Sequence, residues 1–227
     1  MKFYIVATPI GNLSDITLRA IEVLKLVDII YCEDTRVTKK LLDNYDIKTS
    51  VDSYHKHSGD FKVNKIIELL KQDKNIAYVS DAGTPGISDP VAMLVEEIVN
   101  NFPDNNNIIE SIPGASSLIT ALSLSGFNCD NFLFFGFIPH KKGKETMLKE
   151  IIENKRTSVF FESTHRIIKT LEKLQLLGLS DNRKIVLARE LTKKFETIYR
   201  GNITKVLDNL KNGITKGEFV VIINKKD

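Results

Sequence analysis

Three segments rich in glycine and proline are the parts of this chain best suited to shape a ligand site. They are residues 8–13 (TPIGNL), 80–90 (SDAGTPGISDP) and 113–117 (PGASS), and each follows a short apolar run typical of a strand. Glycine lets a ligand approach the backbone, and proline stiffens a loop. Ligands of open α/β sheets bind outside the carboxyl ends of the strands. One such segment would indicate only a tight turn, but three, one of them containing Asp81, favour a ligand cleft.

These segments lack the motifs of several common enzyme classes. G-x-G-x-x-G does not follow the first predicted strand, and G-x-x-x-x-G-K-[ST] does not occur in the chain. The nucleophile motif G-x-S-x-G is also missing. Nicotinamide binding, P-loop phosphate binding and serine hydrolysis therefore lose support.

Charged clusters follow three further predicted strands. The clusters are residues 33–36 (EDTR), 162–166 (ESTHR) and 188–194 (ARELTKK). Asp34 and Ser163 could each cap a helix, which would account for a cluster taken singly. Capping does not explain why arginine recurs at Arg36, Arg166 and Arg189, and a guanidinium fork suits carboxylate or phosphate recognition.

Two histidines and a basic loop offer weaker signals. His55 and His57 alternate along the chain, but two ligands without a nearby third are too few for a metal site, so we expect none. Residues 140–144 (HKKGK) are typical of a solvated loop. Because Phe137 and Pro139 precede them, they could also contact nucleic-acid phosphates.

Length and composition indicate a globular protein. The chain has 227 residues, 42% of them hydrophobic, with 32 Lys and Arg against 29 Asp and Glu, a formal charge of +3. Cys32 and Cys129 form no disulfide framework. Residues 1–6 resemble a strand rather than a signal peptide, and the longest apolar run, 132–138, is too short to span a membrane. We expect a cytoplasmic protein with reduced thiols.

Short apolar runs alternate with amphipathic ones along the chain. The predicted strands are residues 2–7, 29–32, 51–54, 76–80, 108–112, 132–138, 158–161, 184–188, 196–199 and 218–223. The predicted helices are residues 14–25, capped by Ser14, and 35–44, 61–71, 90–100, 115–124, 144–153, 164–177 and 203–210. This rhythm predicts an α/β fold with a largely parallel sheet in its first half. Pro113-Gly114 interrupts the chain, so we predict two α/β domains, 1–112 and 113–227.

Taken together, the motifs resemble the ribosomal RNA small subunit methyltransferase I family of the tetrapyrrole methylase superfamily. The matching strings are TPIGNLxDIT from Thr8, EDTR from Glu33, VSDAGTP from Val79, Pro113-Gly114, ESTHR from Glu162, LARELTK from Leu187 and Lys216-Gly217-Glu218. The resemblance extends from residue 3 to about 223. It implies two α/β domains of the tetrapyrrole methylase type, with the methyl-donor cleft between them, in a homodimer.

The resemblance also implies an activity. The family transfers a methyl group from S-adenosylmethionine to the ribose 2′-oxygen of a decoding-centre cytidine in 16S rRNA, within the assembled small ribosomal subunit. The implied donor-binding residues are Pro9, Gly11, Asp81, Ala82, Gly83, Thr84, Pro85, Ile87, Ser116, Ser117, Phe161 and Ala188. The candidate RNA contacts are Arg36, Lys141, Lys142 and Lys144. On this view, Gly83→Val is expected to weaken donor binding while leaving stability mostly intact.

The chemistry requires positioning more than a nucleophile. The sulfonium already activates the methyl group, so neither a metal nor a covalent intermediate is needed, and the enzyme must align the ribose oxygen with the methyl carbon. A base that accepts the weakly acidic 2′-hydroxyl proton assists the transfer. The candidates are Glu33, Asp34, His57 and Lys193, and the sequence does not choose between them.

Two other classes of function stay open at this stage. One is a related methyltransferase acting on a tetrapyrrole, against which the excess of Lys and Arg counts weakly. The other is an RNA-binding module without activity, which leaves the three Gly/Pro segments unexplained.

Overall fold

The computed structural model describes residues 1–55 and 58–226 and divides into two units, Met1–Ser116 and Ser117–Asp227. The elements of the first unit are β1 (Phe3–Val6), α1 (Leu18–Leu26), β2 (Ile29–Cys32), α2 (Thr35–Asn44), β3 (Ser50–Ser53), α3 (Gly59–Lys71), β4 (Ile76–Val79), α4 (Val91–Asn101) and β5 (Ile109–Ile112). The strands form a sheet in the order β3-β2-β4-β1-β5, and every pairing is parallel. The prediction of a parallel sheet is confirmed.

Helices cover both faces of this sheet because successive side chains of a strand point to opposite faces. Helices α1 and α2 pack on the face that includes Val6 and Ile30. Helices α3 and α4 pack on the face that includes Phe3 and Tyr78. All four residues of β4 are buried, as expected for a strand covered on both sides.

The second unit contains a mixed sheet. Its elements are α5 (Ser117–Ser125), β6 (Phe132–Phe137), α6 (Lys144–Glu153), β7 (Thr157–Ser163), α7 (Ile167–Leu176), β8 (Ile185–Arg189), β9 (Thr197–Gly201), α8 (Ile203–Lys211) and β10 (Glu218–Ile223). The strand order is β6-β7-β10-β8-β9, in which β6 and β7 pair in parallel and the other three pairings are antiparallel. Helices α6, α7 and α8 bury a hydrophobic core against one face, and α5 packs against β10.

Helices α1 and α7 begin at least three residues later than the sequence predicts. Ser14 lies in a short 3-10 turn, and Thr17 caps α1 instead, its hydroxyl accepting from the Ala20 N–H at 3.1 Å. Ser163 ends β7 and does not cap a helix, because α7 begins at Ile167. Within the described ranges, no helix has the length and apolar character needed to cross a membrane.

Candidate functional site

The three Gly/Pro segments meet at the carboxyl ends of β1, β4 and β5. Thr8 and Gly83 pair as an isolated antiparallel bridge, with Thr8 N–H to Gly83 O at 2.9 Å and Gly83 N–H to Thr8 O at 3.1 Å. The Thr84 hydroxyl donates to Ala115 O at 3.0 Å, which joins the second segment to the third. A methyl group added at Gly114 would lie 2.9 Å from the Ala7 Cβ. Direct hydrogen bonds and contacts thus bring the three segments together, as predicted.

The position of β4 in the sheet explains why this end suits a ligand. Strand β4 lies between β2 and β1 in the sheet. The chain passes to the α1/α2 face after β1 and after β2, but it passes to the α3/α4 face after β4. Ligands of open α/β sheets bind where adjacent connections part in this way. The loop after β4 is the second Gly/Pro segment, and the loop after β2 begins with Glu33 and Asp34.

The backbone course of the second Gly/Pro segment depends on Gly83. Its φ is +83°, in the left-handed region that other residues avoid, and it is buried. A side chain there would place its Cβ 3.2 Å from Ile10 Cγ2. Pro85 is also buried, whereas Asp81, Ala82 and Ile87 are exposed. The loop therefore has a fixed base and an accessible outer edge.

Four carboxylates lie in this loop or beside it: Asp81 and Asp89 belong to the loop, and Glu33 and Asp34 follow β2. We call these four residues the β4-end cluster. The Asp34 N–H donates to Asp81 Oδ1 at 3.0 Å. Burial raises the pKa of Glu33, and the charges of Asp81 and Asp89 raise it further, against a hydrogen bond from the Asp81 N–H. Burial followed by the charge of Asp34 raises the pKa of Asp81. Negative charge is therefore concentrated at the end of β4.

The structure separates the neighbours Glu33 and Asp34 in chemical character. Asp34 caps α2, and its carboxylate holds the Arg36 guanidinium in two-point contact, Nη2 to Oδ2 at 2.6 Å and Nε to Oδ1 at 3.0 Å. Hydrogen bonds from Arg36 lower the pKa of Asp34 to about 2. Glu33 has a raised pKa and is half-buried. Asp34 is thus a poor proton acceptor at neutral pH, and Glu33 is the better one.

Sequence analysis did not identify Tyr78 as a neighbour of this cluster. Tyr78 is fully buried in β4, and its hydroxyl has no partner among the described residues. Burial raises its pKa first, and the charge of Glu33 raises it next. A tyrosine within an apolar strand is typical of a core residue, so no signal in the sequence identifies Tyr78 as a neighbour of the site.

A second group of the motifs meets in the second unit, where the ends of β7 and β8 adjoin the start of β10. The buried Glu162 carboxylate accepts from Arg166 Nε at 2.7 Å and from the Thr170 hydroxyl at 2.8 Å. Lys144 Nζ donates to the same Thr170 hydroxyl at 3.1 Å. Burial lowers the pKa of Lys144, whereas the charge of Glu162 acts the other way. Lys144 therefore belongs to an internal network, unlike the exposed Lys141 and Lys142.

The three arginines at strand ends all bind partners within their own unit, and for Arg36 and Arg166 that partner is a carboxylate, as a guanidinium fork favours. Arg166 is committed to Glu162, a neighbouring carboxylate of its own motif. Arg189 is buried, and its guanidinium donates to Lys216 O at 2.6 Å and Phe195 O at 2.8 Å. Arg36 binds Asp34, but its side chain remains 87% exposed.

Lys193 is held between two carboxylates, Glu190 Oε1 at 3.0 Å and Glu218 Oε2 at 2.8 Å. Burial alone would lower its pKa, but the hydrogen bonds that it donates to these carboxylates outweigh burial and raise it. Glu190 and Thr192 both have positive φ, +53° and +63°, a strained backbone that is frequent at functional sites. A charged ammonium of this kind is a poor proton acceptor.

The remaining predicted site residues lie in varied surroundings. Pro9 is half-buried and Gly11 exposed in the first segment, and Ser116 and Ser117 are half-buried on either side of the unit boundary. Phe161 is half-buried against Phe134 and Phe137, at ring-centroid distances of 4.9 and 5.4 Å. Ala188 is fully buried in β8, and His57 lies outside the described residues. The described residues include no group of three side chains able to hold a metal ion.

Comparisons with known proteins agree with this architecture. A family model described as tetrapyrrole (corrin/porphyrin) methylases matches residues 2–207. The chain is 45% identical over 222 residues to the ribosomal RNA small subunit methyltransferase I of Bacillus subtilis (strain 168). The aligned region covers 97% of this chain and 74% of that relative. The chain is 38% identical over 226 residues to the protein of the same name from Thermotoga maritima, covering 100% and 99%.

Two solved structures share the fold at low sequence identity. Cobalt precorrin-4 methyltransferase, a cobalamin biosynthetic enzyme, matches with a TM-score of 0.70 at 19% identity, covering 98% of this chain and 94% of that one. The methyltransferase CobJ matches with a TM-score of 0.69 at 16% identity, covering 99% and 94%. At these identities the likeness extends to the fold alone.

Proposed function

Because the chain belongs to the ribosomal RNA small subunit methyltransferase I family of tetrapyrrole methylases, we propose that it transfers a methyl group from S-adenosylmethionine to a ribose 2′-oxygen of 16S rRNA. The target we propose is a cytidine of the decoding centre in the assembled small subunit. The observation that carries the donor half of this proposal is the meeting of three Gly/Pro segments beside the β4-end cluster.

The residues present fit a cationic methyl donor. S-adenosylmethionine carries a sulfonium and an ammonium group, and Asp81 is an exposed carboxylate on the loop after β4. Gly83 and Gly114 occupy positions where a side chain would be crowded, because a Cβ would press against Ile10 at Gly83 and against Ala7 at Gly114. We propose that residues 81–87 and Pro9–Gly11 form the donor-binding surface of the first unit. Ser116, Ser117, Phe161 and Ala188 stay predictions that rest on the family resemblance.

Glu33 is the proton acceptor that we propose for the 2′-hydroxyl. When bound, S-adenosylmethionine supplies a methyl group that the sulfonium already activates, so the protein's tasks are alignment and proton removal. A carboxyl with a raised pKa is a stronger base than an ordinary one, and Glu33 has that property. Asp34 and Lys193 are held by opposite charges, which favours a structural or orienting role for both.

Further parts of the proposal rest on family membership. The small ribosomal subunit is the proposed partner, which implies a cytoplasmic location, and a homodimer is the proposed assembly. Arg36, Lys141 and Lys142 are exposed and are retained as proposed RNA contacts. We propose a supporting role for Lys144, since its ammonium holds Thr170.

Methylation of small subunits tests the proposed function. The acceptors are small subunits purified from a strain that lacks this enzyme, stripped 16S rRNA and a tetrapyrrole precursor, each incubated with S-adenosylmethionine. Nuclease digestion and mass spectrometry then locate the added methyl group. Ribose methylation of a cytidine in subunits, weaker in stripped RNA, is the expected result. Methyl on a base alone, or transfer to the tetrapyrrole and not to the subunit, contradicts the proposal.

A further inference from the structure

The two units carry opposite net charge. The second unit has 20 Lys and Arg against 12 Asp and Glu, a formal +8, whereas the first has 12 against 17, a formal −5. The overall charge of +3 therefore conceals a strongly basic half. A basic half of this kind is the electrostatic signature of a polyanion partner.

Part of this positive charge lines a groove within the second unit. The groove has a volume of about 790 Å³ and lies where β8 begins and β9 and β10 end. Its cationic lining residues are Lys184, Arg200, Lys205 and Lys225. Asp181 is its one acidic lining residue, and its carboxylate accepts a hydrogen bond from the Thr204 hydroxyl at 3.0 Å. Four positive charges thus face a single negative one.

None of these four cations forms an ion pair with the described residues. Several other exposed lysines do form ion pairs, for example Lys149 with Glu145 at 2.9 Å. All four side chains of the groove are exposed, and Arg200 is held in place by donating to Leu124 O at 2.7 Å. Unpaired cations that converge on a groove repel one another, and an anionic ligand would relieve that repulsion.

The uncharged lining residues suit the backbone of a nucleic acid. Asn128, Asn182 and Asn224 are among the lining residues, and a side-chain amide is a group that can donate to phosphate or ribose oxygens. The Arg183 guanidinium donates to Asn224 O at 3.0 Å, which fixes this edge of the groove. Phe127 is the one aromatic lining residue, so base stacking can contribute little. The lining therefore favours phosphate contact over base recognition.

We propose that this groove, hereafter the basic groove, binds the phosphate backbone of the rRNA acceptor. The inference rests on the proposed function, from which it takes the identity of the polyanion. The groove lies at the end of the mixed sheet opposite to Arg166 and Lys193, since β8 begins at the groove and ends at Arg189. From Ile185 to Arg189, the five residues of β8 span about 14 Å between these two ends. RNA bound in the groove thus contacts a surface separate from Lys141 and Lys142, which follow β6.

A charge-removing variant tests the basic groove directly. Lys184, Lys205 and Lys225 are replaced together by glutamine, which preserves side-chain length and leaves the anchored Arg200 in place. The control replaces Lys25, Lys39 and Lys40, three exposed lysines of the first unit with no ion pair among the described residues. Filter binding of small subunits at several salt concentrations gives affinity and salt slope, and calorimetry gives the donor affinity. Should the triple variant unfold, Lys184→Gln with Lys225→Gln takes its place.

Loss of three phosphate contacts has a calculable effect. Each contact contributes roughly 0.7–0.9 to the slope of log affinity against log salt, so the slope should fall by about 2–3. If the wild type and the groove variant bind equally at 1 M salt, this change in slope lowers subunit affinity of the variant by roughly 100- to 500-fold at 0.1 M salt. Donor affinity and kcat at saturating subunit should be unchanged, and the control should keep close to wild-type subunit affinity, roughly 100- to 500-fold tighter than that of the groove variant at 0.1 M salt.

The outcomes distinguish the two proposals. Subunit affinity and salt slope equal to wild type in the groove variant would overturn the basic groove, even if methylation proceeds. An equal loss in the control variant would also overturn it, because the effect would then follow total charge. Subunit binding that depends on the groove without any methyl transfer would support the groove and refute the proposed function.

Discussion

Replacing Gly83 with alanine tests whether the loop after β4 must have its observed backbone course to bind the donor. At φ +83°, any side chain pays a conformational cost of about 1–2 kcal/mol. The new Cβ would lie 3.2 Å from Ile10 Cγ2 and 3.6 Å from Ala115 O, so Ile10 must move by a few tenths of an ångström. Both Ile10 and Ala115 belong to the other Gly/Pro segments, so the disturbance falls on the proposed donor surface.

Gly178 provides a matched control for backbone strain. Its φ is +96°, and a Cβ added there meets nothing within 4 Å. Gly178→Ala should therefore carry the conformational cost of Gly83→Ala without displacing a neighbour. We expect both variants to lower Tm by similar amounts, on the order of 5 °C for 1 kcal/mol in a unit of this size.

Calorimetric titration with S-adenosylmethionine separates the two variants. Gly83→Ala should lose about tenfold in donor affinity, equivalent to about 1.4 kcal/mol, whereas Gly178→Ala should bind as wild type. Wild-type donor affinity in folded Gly83→Ala would refute the assignment of this loop. The expectation from sequence that Gly83→Val leaves stability mostly intact is wrong, because Gly83 is buried and a β-branched residue at positive φ is a severe outlier.

Three further variants probe the charged groups. Glu33→Gln should abolish most methyl transfer yet stabilise the fold at neutral pH. Burial raises the pKa of Glu33 in the folded state, so the stability that protonated Glu33 contributes is lost as pH rises through that pKa. Glutamine stays neutral and avoids this loss. Thermal melts between about pH 4 and 8 check this sign: the Tm of the wild type should fall relative to that of the variant as pH rises. A wild-type Tm that rises relative to the variant with increasing pH would contradict the argument. Arg166→Ala should cost about 3–5 kcal/mol in urea unfolding because it leaves Glu162 buried without its cation, and a loss below about 1 kcal/mol would argue against a buried pair. Gly217→Ala would place a Cβ 2.5 Å from Glu190 Cγ, so it should lower both Tm and methyl transfer; unchanged transfer would show that this loop does not contribute to activity.

Local signals in the sequence determined most of the secondary structure. Helix α2 and strand β10 occupy the predicted residues, because a capping Asp34 and a continuous apolar run are short-range features. The alternation of elements also determined the parallel sheet of the first unit. Ser14 was a wrong cap because several polar residues near Thr17 could serve, and only the three-dimensional course of the chain selects one.

Strand order in the second unit could not be read from the sequence. Placement of β10 between β7 and β8 depends on long-range pairing, which no local pattern records. That placement brings Glu162, Glu190 and Glu218 to one end of the sheet and turns Arg166 and Arg189 inward. The chemistry of an arginine fork is the same whether its partner lies inside the protein or outside it, so residue type alone did not reveal which applies.

Electrostatics at the candidate site was likewise decided by tertiary structure. Glu33 and Asp34 are adjacent acids in the sequence, yet one has a raised pKa and the other a lowered one. The difference arises because burial and neighbouring carboxylates surround Glu33, while Arg36 and the start of α2 hold Asp34. Sequence determined which residue types follow each strand, and packing determined which of them titrate, pair or remain exposed, because those properties depend on distances between residues far apart in the chain.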